Sequence, residues 1–202
     1  MDGRRANTEN EDGAMEGDRK FHWGLLWQEW SLAQLGILVI LPLLYVKGFT
    51  GWEMVRGSFF LMGLFLVGIM DIRYGLIFNR FLLVMGAAGI GLDVVEPRMS
   101  FGDVLEGAAL GFSLLCLIRW GSRGGMGGGD VKYAAVLGLW LGWKLLLVAL
   151  FLAFVLGSVA AAWMLLVGRR GAIPFGPFLS LGAGTAFLWG IPLLRWYEGY
   201  LP

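Results

Sequence analysis

The sequence predicts an all-α fold, a polytopic membrane helix bundle with six to seven transmembrane helices. Three observations predict it. Of the 202 residues, 57% are hydrophobic and 15% charged, against roughly 25% charged in a soluble domain. The apolar residues gather into seven segments joined by short polar links. Ten Trp and 33 Gly suit a bilayer, where Trp anchors at the interfaces and Gly lets helices approach closely. A soluble domain of this length would carry more apolar surface than its core could use. The net charge of +1 offers no electrostatic case for nucleic acid.

Residues 1–22 are polar, carry charges of both signs and read as a mobile N-terminal tail. They hold no apolar h-region with a small-residue cleavage site and so do not read as a signal peptide. Residues 23–202 read as the transmembrane domain. Its apolar segments lie near 30–46, 57–70, 80–95, 104–120, 131–143, 145–167 and 174–194. A helix needs about 20 residues to cross the hydrocarbon core, and the sixth and seventh segments have them. The second reaches that length if its helix starts before Gly57 or runs past Asp71. The fifth, VKYAAVLGLWLGW, is short, which leaves open whether 131–143 spans fully or is broken or re-entrant. Pro97, Pro174 and Pro177 sit at segment ends, where helices start or stop.

Positive charges set an orientation. Arg73 and Arg80 flank the second link, Arg119, Arg123 and Lys132 the fourth, and Arg169 and Arg170 the sixth, while Arg19 and Lys20 precede the first segment. If all seven segments cross, these regions share one side, which the positive-inside rule makes cytoplasmic. Asp71 and Asp130 then lie at the same membrane depth on that side. Cys116 is the single cysteine; it excludes an internal disulfide and a CxxC zinc site and reads as a small buried packing residue. His22 is the single histidine, reads as an interfacial polar residue, and supports neither a His-based metal site nor a Ser-His-Asp triad.

Asp71 closes the run FLMGLFLVGIMD and Asp130 opens the run VKYAAVLGLWLGW. An acid that close to hydrocarbon is costly and is a functional candidate, although each also reads as the first polar residue past a helix end. Five of the seven residues at 124–130 are glycine. Such a stretch makes a poor helix interior, and its backbone can adopt positive φ or let another chain come near. No GK[ST] follows it, so it is not a phosphate loop. It reads either as a plain linker or as a loop that holds a carboxylate beside an extended peptide. Two carboxylates on one face suggest aspartic protease chemistry. They cannot both ionise easily, so they share a proton; the ionised acid takes a proton from water and the protonated one polarises the scissile carbonyl.

GMGGGDVK followed by LGLWLGW, with DIRYGLIFN before and IPFGPFLSLGA near the end, resembles the type IV prepilin peptidases, membrane aspartyl proteases of the GxGD class. The resemblance covers about residues 57–190. It implies that Asp71 and Asp130 are catalytic, with Gly127 and Gly129 as the GxGD glycines. Gly128, Lys132 and Asn79 join them as candidate substrate-binding or loop residues. Lys132 matches the lysine that follows the family's second aspartate, and it would orient a carboxylate or serve as a snorkelling anchor. The family pattern after the first aspartate ends Ile-Pro-Asn, whereas this chain has Ile77, Phe78 and Asn79. IPFGPF at 173–178 reads as a helix-start turn near the site. Gly86, Gly89, Gly107, Gly111, Gly182 and Gly184 read as helix-packing positions. Family members with two CxxC pairs carry a methylating domain; only the polar tail stands in its place here, so neither S-adenosylmethionine nor zinc is expected as a cofactor.

The resemblance implies a multi-pass aspartic endopeptidase of the bacterial inner membrane with its active site facing the cytoplasm. Its partners would be a prepilin or pseudopilin, cleaved after the glycine that ends a basic leader, the lipid bilayer, and pilus or type II secretion machinery. The alternative is a small transporter or proton or cation channel that uses Asp71 and Asp130. Such a protein more often sets its acids near the midplane.

Overall fold

A computed structural model describes residues 36–123, 125–168 and 173–199, without the side chains of Tyr197 and Glu198. The tail at 1–22, His22, Arg169 and Arg170 lie outside the described residues. The chain divides into two units, Met1–Val39 and Ile40–Pro202. Of the first, only the helical residues 36–39 are described.

Among the described residues there are six helices and no strand. They are α1 (Gly36–Val46), α2 (Gly51–Tyr74), α3 (Asn79–Val95), α4 (Phe101–Gly121), α5 (Gly128–Leu166) and α6 (Gly176–Glu198). The expected segments reappear with ends displaced by a few residues, except that 30–35 of the first lie outside the described residues. The second apolar segment lengthens in both directions, starting at Gly51 and running through Asp71 to Tyr74, which makes it long enough to cross. By length and composition, α2, α4, α5 and residues Gly176–Trp196 of α6 can cross a membrane. Their outward faces are apolar: Ile72, Trp120, Phe151, Trp163 and Leu181 are each more than half exposed, as lipid-facing side chains should be. Cys116 joins them. It is exposed on α4, not buried as its setting in an apolar run suggests, because the inward face of α4 is held by Val104, Gly107, Gly111 and Leu115.

The fifth and sixth apolar segments form one element, α5, broken at Gly142. That residue has φ 67° and ψ 173°, a region open to glycine and closed to residues with a Cβ. The break is a reversal. Gly111 of α4 packs against both Ala134 and Leu146, and Gly107 packs against both Gly138 and Gly142. Residues 134 and 146 would stand about 18 Å apart along a straight helix, so only a chain that turns back brings both to one level. The arm 128–141 is thus short, about 21 Å. The arm 143–166 runs back beside it.

Glycines permit the tight contacts. A Cβ on Gly107 or Gly138 would strike the other's backbone, one on Gly111 would strike Ala134, and one on Gly182 would strike Ala149. Gly86 and Gly184 make only ordinary contacts. Away from the aspartates the core is aromatic: Phe60 lies 5.0 Å from the ring of Trp140 and 5.1 Å from that of Phe187. The Trp140 indole donates to the Met85 carbonyl at 3.0 Å, in space that Gly89 leaves open. Gly57 meets Leu44 and Phe187, Gly68 meets Ser180, and Gly157 meets Phe175. The chain therefore changes direction at each connection. Residues 71–79, 121–123, 125–130 and 175–176 come to one end of the bundle, and residues 47–50, 93–100 and 199 to the other.

Candidate active site

Asp71 and Asp130 are 59 positions apart in sequence, and the fold brings both to the same end. Asp71 stands in the last turn of α2, which stops because Gly75 takes the left-handed conformation (φ 61°) and gives its N–H to the Asp71 carbonyl at 2.9 Å. Asp130 is the third residue of α5, behind the N-cap Gly127. Both are buried, with 6% and 7% of their surfaces exposed. The charge of Asp71 reaches Asp130.

Each carboxyl group lies against a glycine at the start of a helix, and Asp71 receives a peptide N–H there. Gly176, the first residue of α6, donates to Asp71 Oδ2 at 2.8 Å; the N–H groups at a helix start have no partner in their own helix and favour an anion. The N-cap Gly127 lies against the Asp130 carboxyl group, which places an acid at the third position as in one half of a capping box. The contacts are close. A Cβ on Gly176 would stand 2.7 Å from Asp71 Oδ2, and one on Gly127 would stand 3.1 Å from Asp130 Oδ2.

The GxGD glycines differ from their expected conformation. Gly127 caps α5, while Gly128 and Gly129 belong to its first turn. Gly129 does not adopt positive φ, and its near neighbour is a side chain, Ile77, whose Cβ is 3.1 Å from where a Cβ would sit. A first turn tolerates glycine because its N–H groups are unpaired within the helix in any case. Gly128 faces the Arg119 guanidinium. Lys132 does not reach a carboxylate: its Nζ donates to Asn79 Oδ1 at 3.0 Å on the exposed surface, joining the start of α3 to α5. The loop 75–78 between α2 and α3 is thus fastened beside Asp130 by Ile77 and by this bond.

Three residues of the site went unrecognised in the sequence. IPFGPF lies where expected, but its contribution, the Gly176 N–H, belongs to the backbone and has no side-chain signature. Tyr133 and Ser180 are both buried and share a hydroxyl–hydroxyl hydrogen bond of 2.8 Å. Tyr133 could have been found by its spacing, since it follows Asp130 by three and so shares its helix face.

Residues 58–162 match the type IV leader peptidase family. The chain belongs to that family. It is 34% identical over 148 residues to a prepilin leader peptidase/N-methyltransferase of Bacillus subtilis, a match that covers 72% of this chain and 60% of the relative. It is 30% identical over 155 residues to the protein of the same name in Aeromonas hydrophila, covering 73% and 53%. Against the leader peptidase HopD of Salmonella typhimurium it is 36% identical over 135 residues, covering 62% of this chain and 86% of that one. The matched part thus spans between half and two thirds of the prepilin leader peptidase/N-methyltransferases. No solved structure matches. The family match and the apolar helices make this a multi-pass membrane protein of a peptidase family.

Proposed function

We propose that this chain is a membrane-embedded aspartic endopeptidase that removes the basic leader from type IV prepilins or pseudopilins, cutting after the leader's terminal glycine. One observation carries the reading: two buried aspartates from different helices stand at one end of the bundle, where the charge of Asp71 reaches Asp130. In such a pair one proton is shared. The carboxylate takes a proton from a water placed between the groups, and the carboxylic acid polarises the scissile carbonyl and later protonates the leaving amine. The Gly176 N–H holds the Asp71 carboxyl group without neutralising it, since a peptide N–H brings no full charge. The substrate class follows from the names of the relatives, prepilin leader peptidases among them.

The membrane in this reading is the bacterial inner membrane, and the aspartate end faces the cytoplasm. Arg73, Arg80, Arg119, Arg123 and Lys132 at that end support this orientation. Pilus or secretion machinery would take the product. The chemistry moves protons between two carboxyl groups and water, so it asks for no metal and no S-adenosylmethionine. A transporter or channel using the same acids is the weaker reading, because both acids lie at one end of the bundle.

The test uses the purified chain in detergent with a prepilin whose basic leader ends in glycine. Wild type is expected to release the leader with or without EDTA or phenanthroline. Asp71→Asn and Asp130→Asn, which hardly change volume, are each expected to abolish release while the protein inserts normally. Near-normal cleavage by either variant rejects the two-aspartate centre, and chelator inhibition reversed by zinc rejects the metal-free mechanism.

A further inference from the structure

The chemistry above needs two carboxyl groups at a set separation, yet they come from helices α2 and α5, which lie far apart in sequence. Both are referenced to α6. Asp71 reaches it through the Gly176 N–H at 2.8 Å. On α5 the residue three after Asp130 is Tyr133, and on α6 the residue four after Gly176 is Ser180, so each is one turn inward on the face that carries the site. These two residues meet, hydroxyl to hydroxyl, at 2.8 Å. Tyr133 is fully buried and Ser180 is 8% exposed. Ser180 also borders α2, because a Cβ on Gly68, three residues before Asp71, would lie 3.6 Å from Ser180 Oγ. The three helices that carry the site therefore converge on one hydroxyl pair directly behind it.

Packing alone does not call for those hydroxyls. Phe fills the same volume without a polar atom, and a buried hydroxyl is costly unless bonded. A bonded pair between two helices admits one register, because sliding either helix by a turn leaves both hydroxyls unsatisfied.

We propose that Tyr133 and Ser180 are positioning residues whose hydroxyl pair locks α5 to α6 and so sets Asp130 opposite Asp71. The role rests on the peptidase reading. Neither residue touches the scissile bond, so the chemical step should suffer and substrate binding should not.

The experiment measures kcat and KM for the prepilin with wild type, Tyr133→Phe, Ser180→Ala and the double variant, each normalised to folded protein by its thermal transition in detergent. Tyr133→Phe and Ser180→Ala are each expected to lower kcat about tenfold, with KM within about twofold, since small misplacements at a reacting centre cost one to two orders of magnitude. The double variant should be no worse than the single ones, because both remove the same bond. If Tyr133→Phe keeps wild-type kcat per folded molecule, or the two losses multiply, the positioning role is overturned. If wild type itself leaves the prepilin uncut, the peptidase reading falls and the role with it.

Discussion

The two ends of the bundle hold acids in opposite ways. At the far end, Asp93 of α3 receives the Arg56 guanidinium at 3.0 Å, and the same guanidinium donates to the Glu96 carbonyl at 3.2 Å. A full positive charge there answers a full negative one, and two helices and a loop are tied together. At the near end, Asp71 receives a peptide N–H and its charge reaches Asp130. A buried acid paired with a guanidinium cannot give or take a proton without leaving a buried charge alone. An acid held by an amide beside a second acid can. In the proposed reading the same residue type is a fastener at one end and a reagent at the other, and the partner makes the difference.

The comparison is tested most severely by exchanging the carboxylates. Asp71→Asn should lower kcat by about a thousandfold or more, whereas Asp93→Asn should leave kcat per folded molecule unchanged. Leader-cleavage rates on matched amounts of folded protein decide; similar losses at both positions would erase the distinction.

Gly176→Ala comes next. Its Cβ would stand 2.7 Å from Asp71 Oδ2 and 3.0 Å from Asp71 Cβ and Cγ, so the carboxyl group must move. A loss of about thirtyfold in kcat is expected, with normal membrane insertion as judged by fractionation. Full activity would mean that the Gly176 N–H does not set the position of Asp71.

A smaller effect separates two glycines on neighbouring helices. Gly129→Val presses on the Ile77 side chain, whereas a Cβ on Gly91 meets open space. Gly129→Val should cut kcat about fivefold, less than a backbone clash would, because Ile77 can shift by a few tenths of an ångström. Gly91→Val should leave it unchanged. Equal rates in the two variants would show that the loop 75–78 does not bear on the site.

The smallest effect on cleavage is expected at the far end. Arg56→Ala removes the charge that answers Asp93, which keeps only the Arg98 N–H, and should destabilise the fold by about 1–3 kcal/mol, seen as a lower thermal midpoint in detergent. The rate of the molecules that remain folded should stay within about twofold of wild type. A large drop in that rate would mean that the two ends are coupled.

Much of this was legible before any coordinates. The all-α membrane class follows from composition, because so many apolar residues with so few charges have no stable alternative but the bilayer. The two aspartates stood out because a carboxylate beside an apolar run is expensive. The grouping of Asp71 with Asp130 at one end follows from counting alternating segments. Less legible were features carried by the backbone. Gly142 was one glycine among many, and only the packing of Gly107 and Gly111 against both arms of α5 shows that the chain reverses there. Cys116 was misjudged because every face of α4 is apolar, and in a membrane apolar residues point outward as readily as inward.

Residue types thus determined, from the sequence alone, that this chain enters a membrane as helices and presents two acids at one end. The tertiary structure decided what those acids touch. Helix periodicity puts Tyr133 on the face of Asp130 and Ser180 on the face of Gly176. No local pattern says that these two faces meet, because the register between α5 and α6 depends on packing between helices distant in sequence. The donor to Asp71 is a peptide N–H, which every residue but proline carries. Nothing marks it in the sequence, and only the close approach of the start of α6 to the end of α2 singles it out.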